Sequence, residues 1–151
     1  MDVVIKDSKI RGKGVFAARN FKKGEIVIVW HPKSLIFQKD MSSLSEDDRN
    51  HTTYAGNGKY YVMGSPERFV NHSCEPNTYV EEQKDVALKD IKKGEEITTD
   101  YSVNGVDDWQ MECKCGSKTC RKIIYGDFRK LDKKNKKRLE PYLEEWFKKE
   151  A

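Results

Sequence analysis

The sequence predicts a mostly β fold of small sheets with short helices and a helical C-terminal tail. Three observations support this prediction. Short β-branched or aromatic runs recur between glycines and charged residues in the first half, a Lys-Lys-Gly-Glu turn precedes two strand-like runs, and apolar residues near the C terminus recur at helical spacing. At 151 residues the chain suits one domain with appendages and is too short for two ordinary domains.

The predicted strands lie mainly in the first half of the chain. They are the runs VVI (3–5), GVFAA (14–18), EIVIVW (25–30) and SLIF (34–37). Two segments, NFKKGEIVI from Asn20 and DIKKGEEIT from Asp90, share a pattern in which a glycine that tolerates positive φ turns the chain into a strand. Residues 38–59 are polar and poor in strand formers, so they predict either a short helix with a loop or a variable insert. Residues 102–112 are expected to form a surface loop.

Residues 129–151 predict a basic amphipathic helical tail. Apolar residues recur there at three- and four-residue spacing, namely Leu139, Tyr142, Leu143, Trp146 and Phe147. Pro141 does not fit inside one continuous helix, so we expect a split with Pro141 in the first turn of the second piece. The tail holds nine Lys or Arg against five Asp or Glu, which accounts for the net charge of +4. This excess indicates either a solvated helix face or attraction to nucleic acid or an acidic protein.

The sequence gives no sign of a membrane protein or a secreted protein. No stretch reaches the roughly 18 to 20 consecutive apolar residues of a membrane span. The first residues lack the apolar centre and cleavage site of a signal peptide. We therefore expect a soluble intracellular protein, in the cytoplasm by default and in the nucleus if the source is a eukaryote.

The strongest chemical signal is the set of four cysteines, Cys74, Cys113, Cys115 and Cys120. An even number is compatible with two disulfides, but nothing else indicates secretion, so reduced thiols in a metal site fit better. The cluster CKCGSKTC can wrap around one ion, with Gly116 allowing a tight turn. Tetrahedral zinc needs a fourth ligand, for which Cys74 is the first candidate and His72 the second. A site of four thiolates is closed and therefore structural.

Other motifs carry less information when taken singly. In RFVNHSCEPNTYV, residues 68–80, a nucleophilic pair of Cys74 and His72 is an alternative interpretation, but it leaves three thiols unexplained. RGKGVFA, residues 11–17, has glycines that let its backbone approach a ligand closely. Tyr101 ends a strand-like run in GEEITTDYS. None of these identifies a reaction alone.

Together, four motifs resemble those of the SET-domain protein lysine methyltransferases. They are RGKGVFAARNFKKGE, RFVNHSCEPN, IKKGEEITTDYS and CKCGSKTC, in that order within residues 8–121. The resemblance implies a SET-domain β-clip fold of small sheets with a C-terminal pseudoknot, an exception to the rule against threaded chains. It implies a SET domain at 1–104 with 38–59 as a variable insert, a zinc-binding post-SET segment at 105–128, and the tail at 129–151.

The resemblance also implies roles for individual residues. The matching cofactor contacts for S-adenosylmethionine are Arg11, Gly12, Lys13, Tyr54, Asn71, His72 and Tyr101. The matching ligands of one structural zinc ion are Cys74, Cys113, Cys115 and Cys120. Tyr101 would be catalytic, where the sulfur, the methyl group and the lysine nitrogen meet. Thr99 stands where the family usually has Phe or Tyr, which favours di- or trimethylation, and Trp109 would either cover the lysine channel or pack ordinarily.

We therefore expect a protein lysine N-methyltransferase that transfers methyl from S-adenosylmethionine to a lysine side-chain amine. Displacement at a sulfonium needs alignment and exclusion of water rather than a general acid. The rival interpretation is a non-catalytic, zinc-stabilised module that binds a basic or histone-like protein or nucleic acid through residues 129–149. The expected partner is a lysine-containing protein, such as a histone or a nucleic-acid-associated protein. The basic tail also leaves direct binding to nucleic acid open as an alternative to a solvated helix face, and membrane binding is not expected.

Overall fold

The computed structural model describes residues 2–150 of the chain and contains twelve short β-strands in that range. They are β1 (Val3–Asp7), β2 (Lys13–Ala17), β3 (Ile26–Val29), β4 (Ser34–Phe37), β5 (Thr52–Gly56), β6 (Lys59–Val62), β7 (Asn71–His72), β8 (Thr78–Val80), β9 (Lys84–Ala87), β10 (Glu96–Thr99), β11 (Val106–Glu112) and β12 (Ile123–Asp127). The four strands predicted in the first half all form.

The helices are short and lie between or after the strands. The α-helices are α1 (Glu46–Arg49), α2 (Lys133–Leu139) and α3 (Glu145–Glu150), and 3-10 turns occupy Gln38–Ser43, Glu67–Phe69, Phe128–Lys130 and Glu140–Tyr142. Side-chain caps start two of the helices: Ser45 accepts a backbone N–H of α1 at 3.1 Å, and Asp132 accepts one of α2 at 2.8 Å. Between residues 2 and 150, no helix has the length and apolar character needed to cross a membrane.

The strands form four small sheets, with the orders β1-β2-β10-β7, β3-β9-β8, β4-β6-β5 and β11-β12. The β7–β10 pair is parallel, with Asn71 opposite Thr98 and His72 opposite Thr99. This register places the Asn71-His72 dipeptide beside the strand that ends just before Tyr101. Small sheets joined by short helices confirm the predicted fold class.

The two Lys-Lys-Gly-Glu turns are neighbours in the fold. Gly24 and Gly94 have φ of +90° and +93°, as expected for a turn that needs glycine. An antiparallel bridge joins Phe21 to Ile91, and a side-chain oxygen at the start of each pattern accepts a backbone N–H from the other turn. The repeated pattern therefore forms a paired corner.

Two local expectations need correction. The prediction of a surface loop at 102–112 is wrong, because residues 106–112 form β11, which pairs with β12 and sets Met111 opposite Ile124. Cross-strand pairing decides strand formation more strongly than the polar composition of one segment does. The insert at 38–59 begins with the expected short helices, but it ends in a strand, β5, that pairs with β6.

The tail packs on the sheets through its own small core. The main core lies between the β-sheets and includes Val15, Phe21, Ile91 and Ile97, all nearly inaccessible to solvent. The second core combines residues after β12 with apolar residues of the tail, namely Phe128, Leu131, Leu139 and Phe147. The tail is split as predicted, with Pro141 in the first turn of the 3-10 segment after α2.

Candidate active site and metal centre

The four cysteines meet at one point although they come from distant parts of the chain. All four are free thiols, and their Sγ atoms lie within 4.8 Å of one another. The Sγ atoms of Cys74 and Cys113 are 3.7 Å apart. Tetrahedral zinc with Zn–S bonds of about 2.3 Å sets its sulfurs about 3.8 Å apart. The cluster therefore has the composition and spacing of a closed zinc site.

The surroundings of the sulfurs also fit a metal cation. Burial raises the pKa of the Cys74 and Cys113 thiols, so a nearby cation is needed to keep them as thiolates. The backbone N–H of Arg121 donates to Cys74 Sγ at 3.3 Å, which orients the sulfur and stabilises its thiolate form. A raised thiol pKa is the opposite of what a nucleophilic cysteine needs, so the Cys-His pair is disfavoured.

Asn71 joins the glycine-rich loop to β7. Its Nδ2 lies 3.1 Å from the Arg11 carbonyl, 3.0 Å from the Lys13 carbonyl and 2.9 Å from a carboxylate oxygen of Glu96. A Cβ on Gly14 would lie 2.4 Å from the same Glu96 carboxylate, so a larger residue there would displace the end of the Glu96 side chain. One amide therefore fixes the loop of residues 11–13 against the Asn-His dipeptide.

His72 links the cysteine cluster to Tyr101. Its buried ring accepts the backbone N–H of Tyr101 at Nδ1, at 3.0 Å, and its Nε2 lies 3.4 Å from Cys74 Sγ. Burial lowers the pKa of His72 to about 4, although the negative charge of Asp100 acts to raise it. The ring is therefore neutral at pH 7. With Nδ1 accepting, the proton belongs on Nε2 and points at the sulfur. Both ring nitrogens are thus engaged by protein groups.

A buried ion pair completes this connection. The Arg121 guanidinium donates to both oxygens of Asp100, at 2.8 and 3.0 Å, and both side chains are at most 9% exposed. Asp100 also lies 3.7 Å from His72 Nδ1. Sequence reasoning missed this pair. The available signals were an Arg directly after the last cysteine and an Asp directly before Tyr101. The six residues Asn71, His72, Cys74, Asp100, Tyr101 and Arg121 are called the junction below.

Tyr101 lies half-buried at the end of β10. Its hydroxyl donates to the Val70 carbonyl, and its ring meets His72 edge-on, with centroids 5.4 Å apart. Burial raises the pKa of Tyr101, partly offset by the charge of Arg11, so the phenol keeps its proton at neutral pH. Because that proton is committed to a carbonyl, the lone pairs of the oxygen remain free to accept hydrogen bonds.

The other predicted site residues lie outside the junction. The Tyr54 hydroxyl bonds to the Glu150 carboxylate, and its ring stands 5.9 Å from that of Trp146 in the tail. Thr99 is half-buried and faces a small pocket. Trp109 is 37% exposed, and its indole covers Gly126. The structure brings the glycine-rich loop, the Asn-His dipeptide, Tyr101 and the four cysteines together. Thr99 lies beside them, opposite His72 in the β7–β10 pair, while Tyr54 and Trp109 stand apart.

Comparison with known proteins decides the family. Residues 12–102 match the SET domain. The chain belongs to the SET-domain family. Histone-lysine N-methyltransferase 2B of Homo sapiens is 33% identical to this SET-domain chain in an alignment 140 residues long. The match covers 78% of this chain and 5% of that relative. The chain spans 2% to 9% of the length of seven curated relatives that it matches over 76% to 80% of its own length.

Solved structures give the same fold. The SET-domain chain resembles one in the crystal structure of an active polycomb repressive complex 2, with a TM-score of 0.59 and 28% identity over 68% of this chain and 15% of that chain. A crystal structure of a Plasmodium falciparum protein described as a candidate histone methyltransferase gives a TM-score of 0.55 and 25% identity. That match covers 66% of this chain and 92% of the other.

Proposed function

We propose that the protein is an S-adenosylmethionine-dependent protein lysine N-methyltransferase. The observation that carries the proposal is the convergence of the loop at residues 11–13, Asn71, His72 and Tyr101 at the junction. Family membership supports the same activity, since the human relative named above is a histone-lysine N-methyltransferase.

The donor would bind against backbone rather than against charged side chains. Asn71 holds the carbonyls of Arg11 and Lys13 in place, and Gly12, at φ +44°, keeps the loop free of a side chain there. When bound, S-adenosylmethionine supplies an electrophilic methyl group on a sulfonium. Asn71, His72 and the loop would align that group and exclude water. Tyr54 stays a prediction as a cofactor contact, with its hydroxyl bonded to Glu150.

Tyr101 would orient the substrate amine. The phenol oxygen would accept an N–H of the amine while its own O–H donates to the Val70 carbonyl, which turns the amine lone pair towards the methyl group. A free lysine has a pKa of about 10.4, so about 0.04% is neutral at pH 7. Transfer should therefore accelerate from pH 7 to about pH 9. Thr99 leaves more room than Phe or Tyr would, which supports the proposal of di- or trimethylation, and Trp109 as a cover of the lysine channel stays a prediction.

One zinc ion would hold the post-SET segment to the junction. Cys74 comes from the SET motif, and Cys113, Cys115 and Cys120 come from the segment around β11 and β12. A closed four-thiolate site leaves no position for substrate, so the ion is structural. His72 and Arg121 would then transmit the order of the metal site to Tyr101.

The proposed substrate is a histone or another chromatin-associated protein. The relatives' names support this class, and it places the protein in the nucleus if the source is a eukaryote. The exposed lysines of α2 would add attraction to nucleic acid near such a substrate. The non-catalytic binding module remains the alternative.

Calorimetry with S-adenosylmethionine separates the two functions. The enzyme should bind the donor and label a lysine-containing protein in a lysate with its methyl group. Asn71→Ala should abolish donor binding, because the loop loses its clamp. Asn50→Ala, at the exposed end of α1, is the matched control and should bind as wild type. Absence of donor binding together with salt-sensitive nucleic-acid binding would favour the module.

A further inference from the structure

A second cavity lies away from the junction, between the sheets and the tail. It has a volume of about 260 Å³ and is bounded by β5, the β8–β9 turn, the residues after Tyr101, and the tail. Four aromatic side chains line it, namely Trp30, Tyr54, Tyr61 and Trp146. This cavity is called the tail cleft below.

The walls of the tail cleft are held in place by aromatic contacts and hydrogen bonds. Trp30 meets Tyr61 edge-on with centroids 6.3 Å apart, and its Nε1 donates to buried Asp85 at 2.7 Å. Aromatic faces arranged this way favour a cationic group, which is attracted by the ring quadrupoles.

The charged groups of the tail cleft are all acidic. Within residues 2–150, Glu82 and Glu144 are the charged residues that line it. The Glu144 carboxylate accepts the Glu82 backbone N–H at 2.7 Å and the Trp146 Nε1–H at 3.0 Å. None of the ion pairs among these residues involves Glu144, and Glu82 has a loose one with Lys84 at 3.6 Å. A fixed carboxylate without a cation is a preorganised acceptor for one.

The tail cleft is separate from the junction, but a short stretch of chain connects the two. Val103 and Asn104, which line it, follow Tyr101 by two and three residues. The Asn104 side-chain oxygen accepts the Glu144 backbone N–H at 2.9 Å, so the tail is tied to the same loop. A peptide whose lysine reaches Tyr101 therefore has neighbouring residues within reach of the tail cleft.

We propose that the tail cleft selects substrates in which the target lysine is flanked by other basic residues, through Glu144 and Glu82. This inference rests on the proposed methyltransferase function and adds the substrate class. The aromatic walls receive the apolar stem of an Arg or Lys, and the carboxylates pair with its charge. An acidic flanking residue would meet like charge and be rejected.

Peptide pairs test the inference. One peptide of Ala, Gly and Ser carries a central lysine flanked by Arg on each side, and its partner carries Gln in place of each Arg. Wild-type kcat/KM should favour the Arg peptide, and Glu144→Gln should reduce that preference about fivefold, as expected for one partly exposed ion pair. Glu82→Gln should act in the same direction. The preference should also weaken at high salt.

Matched variants and outcomes keep the test decisive. Two control variants should leave the preference for the Arg peptide unchanged. They are Glu145→Gln, next to Glu144 and 78% exposed, and Glu81→Gln, next to Glu82. Equal kcat/KM for the two peptides in wild type, or an unchanged preference in Glu144→Gln, would overturn this inference while leaving the methyltransferase function intact. Failure to methylate any lysine peptide despite donor binding would overturn both.

Discussion

The junction and the tail cleft use their polar groups in opposite ways. In the junction, His72, Asp100 and Arg121 pair with other protein groups, and both ring nitrogens of His72 are engaged. In the tail cleft, the carboxylates of Glu82 and Glu144 face open space without a strong cationic partner. A network of buried, paired polar groups fixes one geometry, whereas a carboxylate without a strong cationic partner is available to bind a cation. The difference assigns alignment to the junction and selectivity to the tail cleft.

Removal of the metal should destabilise the protein more than any of the substitutions that follow. A small effect would contradict the role of the junction as the rigid part of the site. We expect one zinc per chain by elemental analysis, and structural zinc sites contribute on the order of 10 kcal/mol to folding. Chelation should lower the thermal midpoint and speed hydrogen exchange in β11 and β12. Cys120→Ser should lose the metal. An unchanged thermal midpoint after complete loss of the metal would show that zinc does not stabilise the junction.

Breaking the buried ion pair should have the next largest effect. Asp100→Asn leaves the Arg121 charge buried without its partner, which should cost about 3–5 kcal/mol in the free energy of unfolding. Denaturant titration measures this cost. Asp108→Asn breaks an exposed ion pair with Lys130 and should leave stability unchanged. Equal stabilities for the two variants would show that burial of the pair does not matter.

Substitution of the catalytic candidate should separate chemistry from folding. Tyr101→Phe removes the oxygen that orients the amine, so kcat should fall on the order of 10²-fold while donor affinity stays near wild type. Tyr125→Phe in β12 is the control, because no hydrogen bond to its hydroxyl occurs among residues 2–150. Near wild-type turnover by Tyr101→Phe would show that the Tyr101 hydroxyl does not orient the amine.

The smallest expected effect comes from Asp85, the buried carboxyl beneath Trp30 of the tail cleft. Burial raises the pKa of Asp85 to about 7. The hydrogen bond from Trp30 lowers this pKa, and the negative charge of Glu67 raises it further. The unfolded pKa is near 3.8, so the native state binds more protons between these values. Stability is therefore lost as pH rises through about 7.

Asp85→Asn removes this titration and keeps an acceptor for the Trp30 N–H. Relative to wild type, its free energy of unfolding should gain about 2 kcal/mol between pH 5 and pH 8. Parallel pH curves for Asp85→Asn and wild type would contradict a raised pKa at this position.

The sequence was sufficient for the fold class and for the convergence of the main motifs. Comparing the number of cysteines with the four ligands of tetrahedral zinc predicted Cys74 as the fourth ligand. The structure brings Cys74 to the other three cysteines. The Asp100–Arg121 pair was missed because a buried ion pair across distant segments leaves no periodic pattern. β11 was missed because its stability depends on a partner strand rather than on its own composition. The contact of Tyr54 with the tail was missed because helix packing cannot be read from local spacing.

The contact between Trp109 and Gly126 gives the protein a built-in optical probe. The indole covers a glycine on the neighbouring strand so closely that a Cβ there would lie 2.4 Å from the ring. The other two tryptophans, Trp30 and Trp146, line the tail cleft instead. A variant in which both are Phe would therefore emit from Trp109 alone. Its emission maximum would follow assembly of the β11–β12 ribbon in real time as metal is added.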